Sequence, residues 1–187
     1  MSGNDDVECL RRRDPAALAA VVERYHHRLH RYLYRLVREP AAADDLFQQT
    51  WLNVVRQIAR YDPRRSFDTW LFAVAHNVAI DFLRQKRSES LEEHEFEASA
   101  AAPAAAPADS LSTLLAAERA AILAAEVQQL PVLYREALAL RFEEGMKLEE
   151  MAEVTHAPLS TVKSRVQRAL ESLRTRMNTR WRKEDLL

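Results

Sequence analysis

The stretch that decides how this sequence is interpreted is Ser160-Thr161-Val162-Lys163-Ser164-Arg165-Val166-Gln167-Arg168-Ala169. Apolar residues recur three or four positions apart within it and beyond it, which predicts an amphipathic helix with one buried stripe. The predicted stripe consists of Val162, Val166, Leu170, Leu173 and Met177. We expect Ser160 to cap this helix and the helix to continue to Arg176.

The opposite face of this helix carries hydroxyl, amide and cationic side chains. It consists of Thr161, Ser164, Arg165 and Arg168, with Lys163 and Gln167 beside them. The first carboxylate of the helix is Glu171. Side chains of these types donate hydrogen bonds to base edges and phosphates in a major groove. The face therefore predicts DNA binding, although an ordinary helical hairpin with a hydrophilic outer face is the alternative.

A short helix and a tight turn precede this helix, as in a helix-turn-helix. The short helix contains Leu148 and Met151, and the turn runs over residues 155–159. Two more helices are predicted upstream. One starts at Leu111 behind a capping Asp109 or Ser110, and the other is opened by Pro131 and runs through Tyr134, Leu138 and Phe142 to the neighbourhood of Gly145.

Three further helices are predicted in the first half of the chain. The apolar positions from Leu18 to Leu36 predict the first helix, which Pro40 ends. The second runs from about Ala42 to Arg60, and the third from about Phe67 to Arg87. The turn over residues 61–66 contains Pro63, which restricts its neighbour and removes a backbone donor. Short connections of this kind would join the three helices around one core.

The composition limits the class of protein. Only two glycines occur among 187 residues, which argues against glycine-rich phosphate loops and turn-rich β folds. The single cysteine, Cys9, excludes an internal disulfide and a cysteine zinc cage. No apolar run approaches the ~18 residues of a membrane span. We therefore expect an all-α, cytoplasmic protein of two small helical domains.

Residues 88–110 differ from the segments on either side. Alanine, proline, serine and glutamate dominate there without an apolar period, which predicts a flexible linker. Residues 1–87 carry 15 basic and 11 acidic side chains, whereas residues 88–130 carry 1 and 8. Residues 154–187 are basic again, with 8 basic and 3 acidic side chains. Basic faces attract polyanions, although arginine-rich helices are also found as merely solvated surfaces.

Both halves of the sequence resemble the bacterial sigma-70 family of initiation factors. Residues 134–142, Met151-Ala152 and the stretch 160–169 resemble region 4, and residues 43–51 and 67–84 resemble region 2. Because only a linker lies between them, the chain is similar to the extracytoplasmic-function (ECF) group. The resemblance implies a region 2 helical bundle over residues 14–87, an acidic Ala/Pro-rich linker over residues 88–110 and a region 4 helix-turn-helix over residues 111–178.

The resemblance implies that the second helix of region 2 binds core RNA polymerase. The residues at the matching positions are Asp44, Asp45, Gln48, Gln49 and Trp51. Family members commonly have glutamate where Gln49 stands, so this chain lacks one charge there. Asp44 and Asp45 would also suit the dipole of a helix that begins near Ala42.

The same family reads the −10 promoter element as a melted single strand, beside the loop that precedes the third helix. The residues that the resemblance assigns to this contact are Tyr61, Arg64, Arg65, Asn77, Asp81, Arg84, Lys86 and Arg87. Stacking of a base on an aromatic ring contributes about 1–3 kcal/mol, which offsets part of the cost of melting. Phe67 and Trp70 are also available for stacking, unless they fill the core.

Region 4 of the family reads the −35 element as duplex DNA. The matching residues here are Thr161, Lys163, Ser164, Arg165, Gln167 and Arg168. Members often have glycine in the turn of this motif, a position that His156 or Ala157 takes in this chain. Histidine tolerates the left-handed conformation better than most residues do.

The resemblance also implies which partners the protein binds, and it implies that the protein is not an enzyme. A sigma factor directs polymerase to specific promoters and helps to melt the promoter DNA. It has no catalytic residue, metal or cofactor of its own. An anti-sigma factor is the expected regulator. The acidic linker, which includes Glu92, Glu93 and Glu95, either enters polymerase channels as a phosphate mimic or is a passive tether.

Other functions are compatible with parts of the sequence. A metal site could be built on His26, His27 and His30, of which His26 and His30 lie one helical turn apart. No third ligand is suitably spaced for that pair, and Arg28 and Arg31 crowd that face. A second alternative is a helix-turn-helix repressor or activator that binds duplex DNA without polymerase. A third is an interaction protein that sequesters a sigma factor, which would not explain the DNA-reading face.

Overall fold

The apolar periods of the sequence become helices in a computed structural model, which describes residues 3–12, 14–90 and 111–184. Helices α1–α4 form an N-terminal unit, and helices α5–α8 form a C-terminal unit. Within those ranges the chain contains no strand. The prediction of an all-α fold with two helical domains is confirmed.

The N-terminal unit is built around the three predicted helices. Its elements are α1 Gly3–Arg12, α2 Pro15–Val37, α3 Pro40–Gln57, a 3-10 turn Ile58–Arg60, and α4 Phe67–Ser90. Leu29, Leu33 and Leu71 are fully buried where α2, α3 and α4 meet. The aromatic rings of Tyr32 and Phe72 pack edge to face in the same core, with centroids 5.1 Å apart.

Helix α1 is an element that the sequence analysis does not predict. It packs on α2 and α4 through Val7 and Leu10, which are 4% and 1% exposed. Asp6 is buried in the same contact and forms an ion pair with Arg24 of α2. The N-terminal unit therefore has four helices rather than three.

The connection between α2 and α3 corrects one helix boundary. Helix α2 ends at Val37, and Arg38 caps it in the left-handed conformation at φ 62°. Pro40 does not end α2; it begins α3, where its missing N–H needs no partner. Because α3 starts at Pro40, Asp44 and Asp45 lie beyond its first turn, so the helix dipole does not account for them.

The C-terminal unit contains the predicted helix-turn-helix. Its elements are α5 Leu111–Gln128, α6 Val132–Leu138, a π-helical turn Ala139–Glu143, α7 Leu148–Thr155, and α8 Leu159–Glu184. His156 takes the left-handed position of the turn, at φ 49°, and its N–H donates to Ala152. The prediction that His156 or Ala157 occupies this position is confirmed. Helix α8 begins before Ser160, so Ser160 lies inside its first turn and is not its cap.

One predicted core position of this unit is wrong. Leu170 is 43% exposed, and Ala169, which is fully buried, takes its place against α6. Phe142 is 62% exposed because the π-helical turn adds a residue and breaks the period of α6. Val162 is buried as predicted.

The two units pack against each other. Helix α4 contacts α7, and α2 contacts α6 and the π-helical turn. Helix α4 continues three residues past the predicted end at Arg87. The rest of the predicted linker, residues 91–110, lies outside the described residues, as do the predicted caps Asp109 and Ser110.

Candidate nucleic-acid interface

Val162 is buried on one side of α8, so the polar face on the opposite side is turned toward solvent. Lys163, Gln167 and Arg168 are exposed, and Thr161, Ser164 and Arg165 are half-buried. The hydroxyl of Ser164 donates to the carbonyl of Thr161 at 2.9 Å, and the amide of Gln167 donates to Glu171 at 2.9 Å. In the described part of the chain Lys163, Arg165 and Arg168 have no ion-pair partner, so their charges are not neutralised by nearby carboxylates.

The loop before α4 is a hydrogen-bonded turn. The carboxylate of Asp62 accepts hydrogen bonds from the backbone N–H and the guanidinium of Arg64 at 2.9–3.1 Å. These hydrogen bonds from Arg64 lower the pKa of Asp62. The N–H of Arg65 donates to the carbonyl of Asp62 at 3.0 Å. The turn holds both arginines at the surface.

Tyr61 lies underneath this loop. Its ring is 3% exposed and packs edge to face on Phe67 and Trp70, and its hydroxyl donates to the carbonyl of Arg65. Burial raises the pKa of this phenol. Arg11 of α1 donates to the carbonyl of Tyr61 at 3.1 Å. A base cannot stack on Tyr61 here, which corrects the expectation of a direct DNA contact by its ring.

A cavity of about 300 Å³ opens beside this loop. Asn77 and Trp70 of α4 line it together with Arg65. Trp70 is half-buried, whereas Phe67 is buried in the core, so only Trp70 is accessible for stacking. Glu153 of α7 and His156, which follows α7, also line it. The cavity brings Arg65 and Asn77 together.

The remaining predicted −10 residues follow α4 away from the cavity. Asp81 and Arg84 form an exposed ion pair at 3.3 Å. The ammonium of Lys86 pairs with Glu39 at 2.7 Å, and Arg87 is exposed. These cations form a second, looser group along the helix, suited to phosphates rather than bases.

The predicted polymerase-binding residues share one surface of α3. Asp44, Asp45, Gln48 and Gln49 are all exposed, and Asp44 pairs with His30 at 2.8 Å. Trp51 points the other way: it is 7% exposed and packs on Phe47. A direct contact of Trp51 with a partner does not fit this structure, because its ring fills the core.

Leu52 is a surface residue that the sequence analysis missed. It is 52% exposed and follows Gln48 and Gln49 on the exposed surface of α3. The sequence could have indicated Leu52, because it is an apolar residue outside the buried stripe of an otherwise amphipathic helix.

A second apolar surface lies on the C-terminal unit. The groove between α5 and α8 has a volume of about 490 Å³ and is lined chiefly by Ile122, Leu123, Leu170, Leu173 and Met177. Leu123 and Leu170 are each 43% exposed. Arg119 and Arg174 flank the groove.

The histidines of α2 pack against one another and against an aromatic ring. The rings of His26 and His30 stack with centroids 5.9 Å apart, beside Phe47. Over the described ranges, no group of three or more His, Cys, Asp or Glu side chains is placed to hold a metal ion. No helix of the described residues is long and apolar enough to cross a membrane.

Both units match established sequence families. Residues 21–89 match the model of sigma-70 region 2, and residues 120–173 match the model of sigma-70 region 4. Together these matches cover more than half of the chain. The chain belongs to the sigma-70 family.

Its relatives are sigma factors, and several of them are of the ECF group. The RNA polymerase sigma factor CarQ of Myxococcus xanthus is 37% identical over 152 residues, which cover 81% of this chain and 83% of CarQ. The ECF sigma factor SigK of Mycobacterium sp. (strain KMS) is 30% identical and covers 87% of this chain and 83% of SigK. SigW of Bacillus subtilis (strain 168) is 26% identical over 91% of this chain and 94% of SigW.

Two solved structures share the fold of this sigma-70 protein. CnrH, in complex with the cytosolic domain of CnrY, has a TM-score of 0.67 at 21% identity, over 96% of this chain and 99% of CnrH. RpoE of Bartonella quintana, in complex with the anti-sigma factor NepR, has a TM-score of 0.68 at 22% identity, over 80% and 89% of the two chains.

Proposed function

We propose that this protein is an ECF sigma factor that brings core RNA polymerase to promoters and helps to open them. The observation that carries the proposal is the presence, in one chain and in order, of both sigma-70 regions, each with an exposed face of the chemistry that its DNA element requires. The chain contributes recognition and polymerase makes the RNA, so no catalytic residue is assigned. The site of action is the cytoplasm, where polymerase and DNA are found.

The proposed −35 contact uses the polar face of α8 in the major groove. Arg165 and Gln167 would read base edges, while Lys163 and Arg168 would neutralise phosphates. Thr161 and Ser164 complete the surface with hydroxyl groups. The support is the exposure of this face and the lack of competing ion pairs for its cations in the described residues.

The proposed −10 contact is centred on Asn77 and Arg65 at the cavity of α4. An exposed amide reads the edge of an unpaired base, and Trp70 offers a partly accessible ring for stacking. Arg64 and the cations of α4 would bind the phosphates of the strand. Tyr61 supports the loop from below, since its hydroxyl holds the carbonyl of Arg65.

The proposed polymerase contact is the exposed surface of α3. Asp45, Gln48 and Gln49 supply polar contacts, and Leu52 supplies apolar area. The position of Asp44 and Asp45 beyond the first turn favours this role over stabilisation of the helix dipole.

We also propose an anti-sigma factor as regulator. CnrH and RpoE, which share this fold, were solved with CnrY and with NepR respectively. The apolar groove between α5 and α8 suits such a protein partner, because burial of Leu123 and Leu170 would drive association. A Leu170→Asp variant would then escape inhibition by an anti-sigma factor while it still supports initiation.

Run-off transcription tests the proposed function. Purified chain is added to bare core RNA polymerase on fragmented genomic DNA, and transcript starts are mapped. We expect defined starts that depend on the chain and share two upstream elements. Tight duplex binding by the chain alone, without any core-dependent start, would instead favour a stand-alone repressor or activator.

A further inference from the structure

Helix α1 is fixed to the N-terminal unit by apolar and charged contacts. Val7 and Leu10 are 4% and 1% exposed where the helix meets α2 and α4. Asp6, which is 2% exposed, forms an ion pair with Arg24 of α2. The helix also contacts the 3-10 turn Ile58–Arg60. Its last turn therefore has a defined place beside the loop that precedes α4.

Arg11 lies in that last turn and is directed to the loop. Its guanidinium donates to the carbonyl oxygen of Tyr61 at 3.1 Å, although the two residues are 50 positions apart in the chain. Among the described residues Arg11 has no ion-pair partner. Its neighbour Arg12, in contrast, forms an exposed pair with Glu8 at 3.1 Å. The two arginines of this turn therefore have different environments.

The backbone donors that follow Tyr61 in the loop are absent or used elsewhere. Pro63 has no N–H. The N–H of Arg64 donates to the side chain of Asp62 at 3.0 Å, and the N–H of Arg65 donates to the carbonyl of Asp62 at 3.0 Å. A backbone carbonyl that loses its donor beside a buried ring costs free energy, so the donor from α1 stabilises this turn.

Tyr61 connects Arg11 to the proposed −10 site. The hydroxyl of Tyr61 donates to the carbonyl of Arg65, and its ring packs on Trp70 with centroids 5.2 Å apart. Arg65 and Trp70 line the cavity that Asn77 also lines. A displacement of Tyr61 would therefore move a cation and an aromatic ring of the proposed site together.

We propose that Arg11 is a positioning residue for the −10 site. By donating to the carbonyl of Tyr61, it holds the loop and the ring of Trp70 in the conformation that binds the single strand. This proposal rests on the proposed function for the identity of the ligand. Arg11 acts through Tyr61 and does not itself touch the strand. Helix α1 is then required for −10 recognition, although it precedes the segment that matches region 2.

Substitution of the two neighbouring arginines in the full-length chain tests the proposal. Arg11→Met removes the donor. Arg12→Met is the matched control, because it makes the same change of charge at an exposed arginine of the same helical turn. Arg11→Lys keeps a charged donor on a side chain of nearly the same length.

Two measurements are made on each variant. Hydrogen exchange followed by mass spectrometry reports on the peptide over residues 58–66 in the free chain, without DNA. Fluorescence anisotropy of the holoenzyme with core RNA polymerase, at several salt concentrations, measures affinity for a labelled single strand. One strand carries the −10 sequence mapped by run-off transcription, and a second strand carries the same bases in permuted order.

We expect Arg11→Met, and not Arg12→Met, to speed exchange in the loop and to weaken binding of the −10 strand. If the loop without this hydrogen bond is correctly placed in about one molecule in five, affinity falls about fivefold, because apparent affinity scales with the competent fraction. The permuted strand is held by phosphate contacts and should lose less than about twofold. Arg11→Lys should recover most of the affinity and of the protection from exchange.

A direct phosphate contact by Arg11 would give a different result. Arg11→Met would then weaken both strands alike and reduce by about 0.7 the slope of log affinity against log salt concentration. Exchange in the loop would stay at the rate of the Arg12→Met control. That pattern would overturn the proposal, as would loop exchange and strand affinity that are both equal to those of the control.

Urea denaturation separates a local effect from general destabilisation. Arg11 is exposed, so we expect Arg11→Met and Arg12→Met to unfold at the same urea concentration. A lower midpoint for Arg11→Met, with faster exchange throughout α2 and α4, would contradict a local positioning role.

The exchange measurement also separates this proposal from the proposed function, because it needs neither DNA nor polymerase. Equal affinity of the wild-type holoenzyme for the two strands would refute −10 recognition by this chain. Faster loop exchange in Arg11→Met alone would still establish that Arg11 positions the loop.

Discussion

Arg135 donates a hydrogen bond of 2.8 Å to the carbonyl oxygen of Leu36, so that a side chain of the C-terminal unit satisfies the end of a helix in the N-terminal unit. The last carbonyls of a helix have no partner within the helix itself. The same guanidinium also donates to Leu130 at 2.6 Å in its own unit. Burial and the neighbouring Arg38 and Arg35 lower its pKa to about 10, and at neutral pH it is still charged.

Arg135→Met should lower the free energy of unfolding by about 2 kcal/mol or more, because buried carbonyl oxygens lose their donors. Urea denaturation followed by circular dichroism measures the change. Arg119→Met, at an exposed arginine of α5, is the matched control and should stay within about 0.5 kcal/mol of wild type. Equal destabilisation by the two substitutions would show that Arg135 does not join the units.

Alkaline titration should detect the buried phenol of Tyr32. Its pKa is raised in the folded chain, whereas an unfolded tyrosine ionises near pH ~10. Above that pH the unfolded chain releases a proton that the folded chain retains, so the free energy of unfolding falls as pH rises. Tyr32→Phe should make this fall shallower by up to about 1.4 kcal/mol per pH unit. Tyr134→Phe is the control. If it made the fall of unfolding free energy with pH equally shallow, the pH dependence could not be assigned to Tyr32.

Two substitutions on α8 should separate base reading from phosphate binding. Arg165→Ala should weaken binding to the −35 element by about 1–3 kcal/mol and relax specificity at one base pair. Lys163→Ala should weaken binding to all DNA sequences alike. It should also reduce by about one the slope of log affinity against log salt concentration. Anisotropy titrations at several salt concentrations measure both effects. Arg174→Ala, farther along the same helix, should change neither, and identical results for all three would mean that α8 is oriented differently.

Asn77→Ala should impair promoter opening without unfolding the chain. Its side chain is exposed, so stability should change by less than about 0.5 kcal/mol. Loss of one base-reading amide should weaken binding of the −10 strand by about 1–3 kcal/mol. Permanganate footprinting of the initiation complex measures opening. The control is Asn178→Ala, at an exposed amide of α8, and an equal loss of opening in both variants would remove Asn77 from the site.

Leu52→Asp should weaken binding to core polymerase by at least about tenfold, since burial of a leucine in a contact contributes about 1.5–3 kcal/mol. Competition with wild type for a limited amount of core enzyme measures the affinity. The control is Leu133→Asp, which changes a leucine of the C-terminal unit that is also exposed, at 39%. Normal affinity of the Leu52 variant would place the polymerase contact elsewhere on the N-terminal unit.

The sequence was sufficient for features that depend on local periodicity. Steps of three and four predict α2, α4 and α8, and the tolerance of histidine for positive φ predicts the conformation of His156. Helix α1 was missed because ten residues with only Val7 and Leu10 as anchors give little period. The π-helical turn was missed because it interrupts the period on which helix prediction depends.

Contacts between distant segments were beyond sequence reasoning. Glu136 lies 104 residues from Tyr32, and its place in a helix gives no indication that a phenol and an imidazole will surround it. The burial of Tyr61 and Trp51 was equally unpredictable from the sequence. An aromatic side chain near a proposed site can either contact a ligand or fill the hydrophobic core. Only tertiary packing distinguishes the two.

The amino-terminal helix has a practical consequence for anyone who shortens this protein. The match to region 2 begins at residue 21, and a fragment cut there would lose Val7, Leu10 and the guanidinium that holds the carbonyl of Tyr61. Such a fragment would expose apolar surface on α2 and α4 and release one side of the turn over residues 61–66. Aggregation or poor strand binding by that fragment would reflect the truncation and not the intact sigma factor.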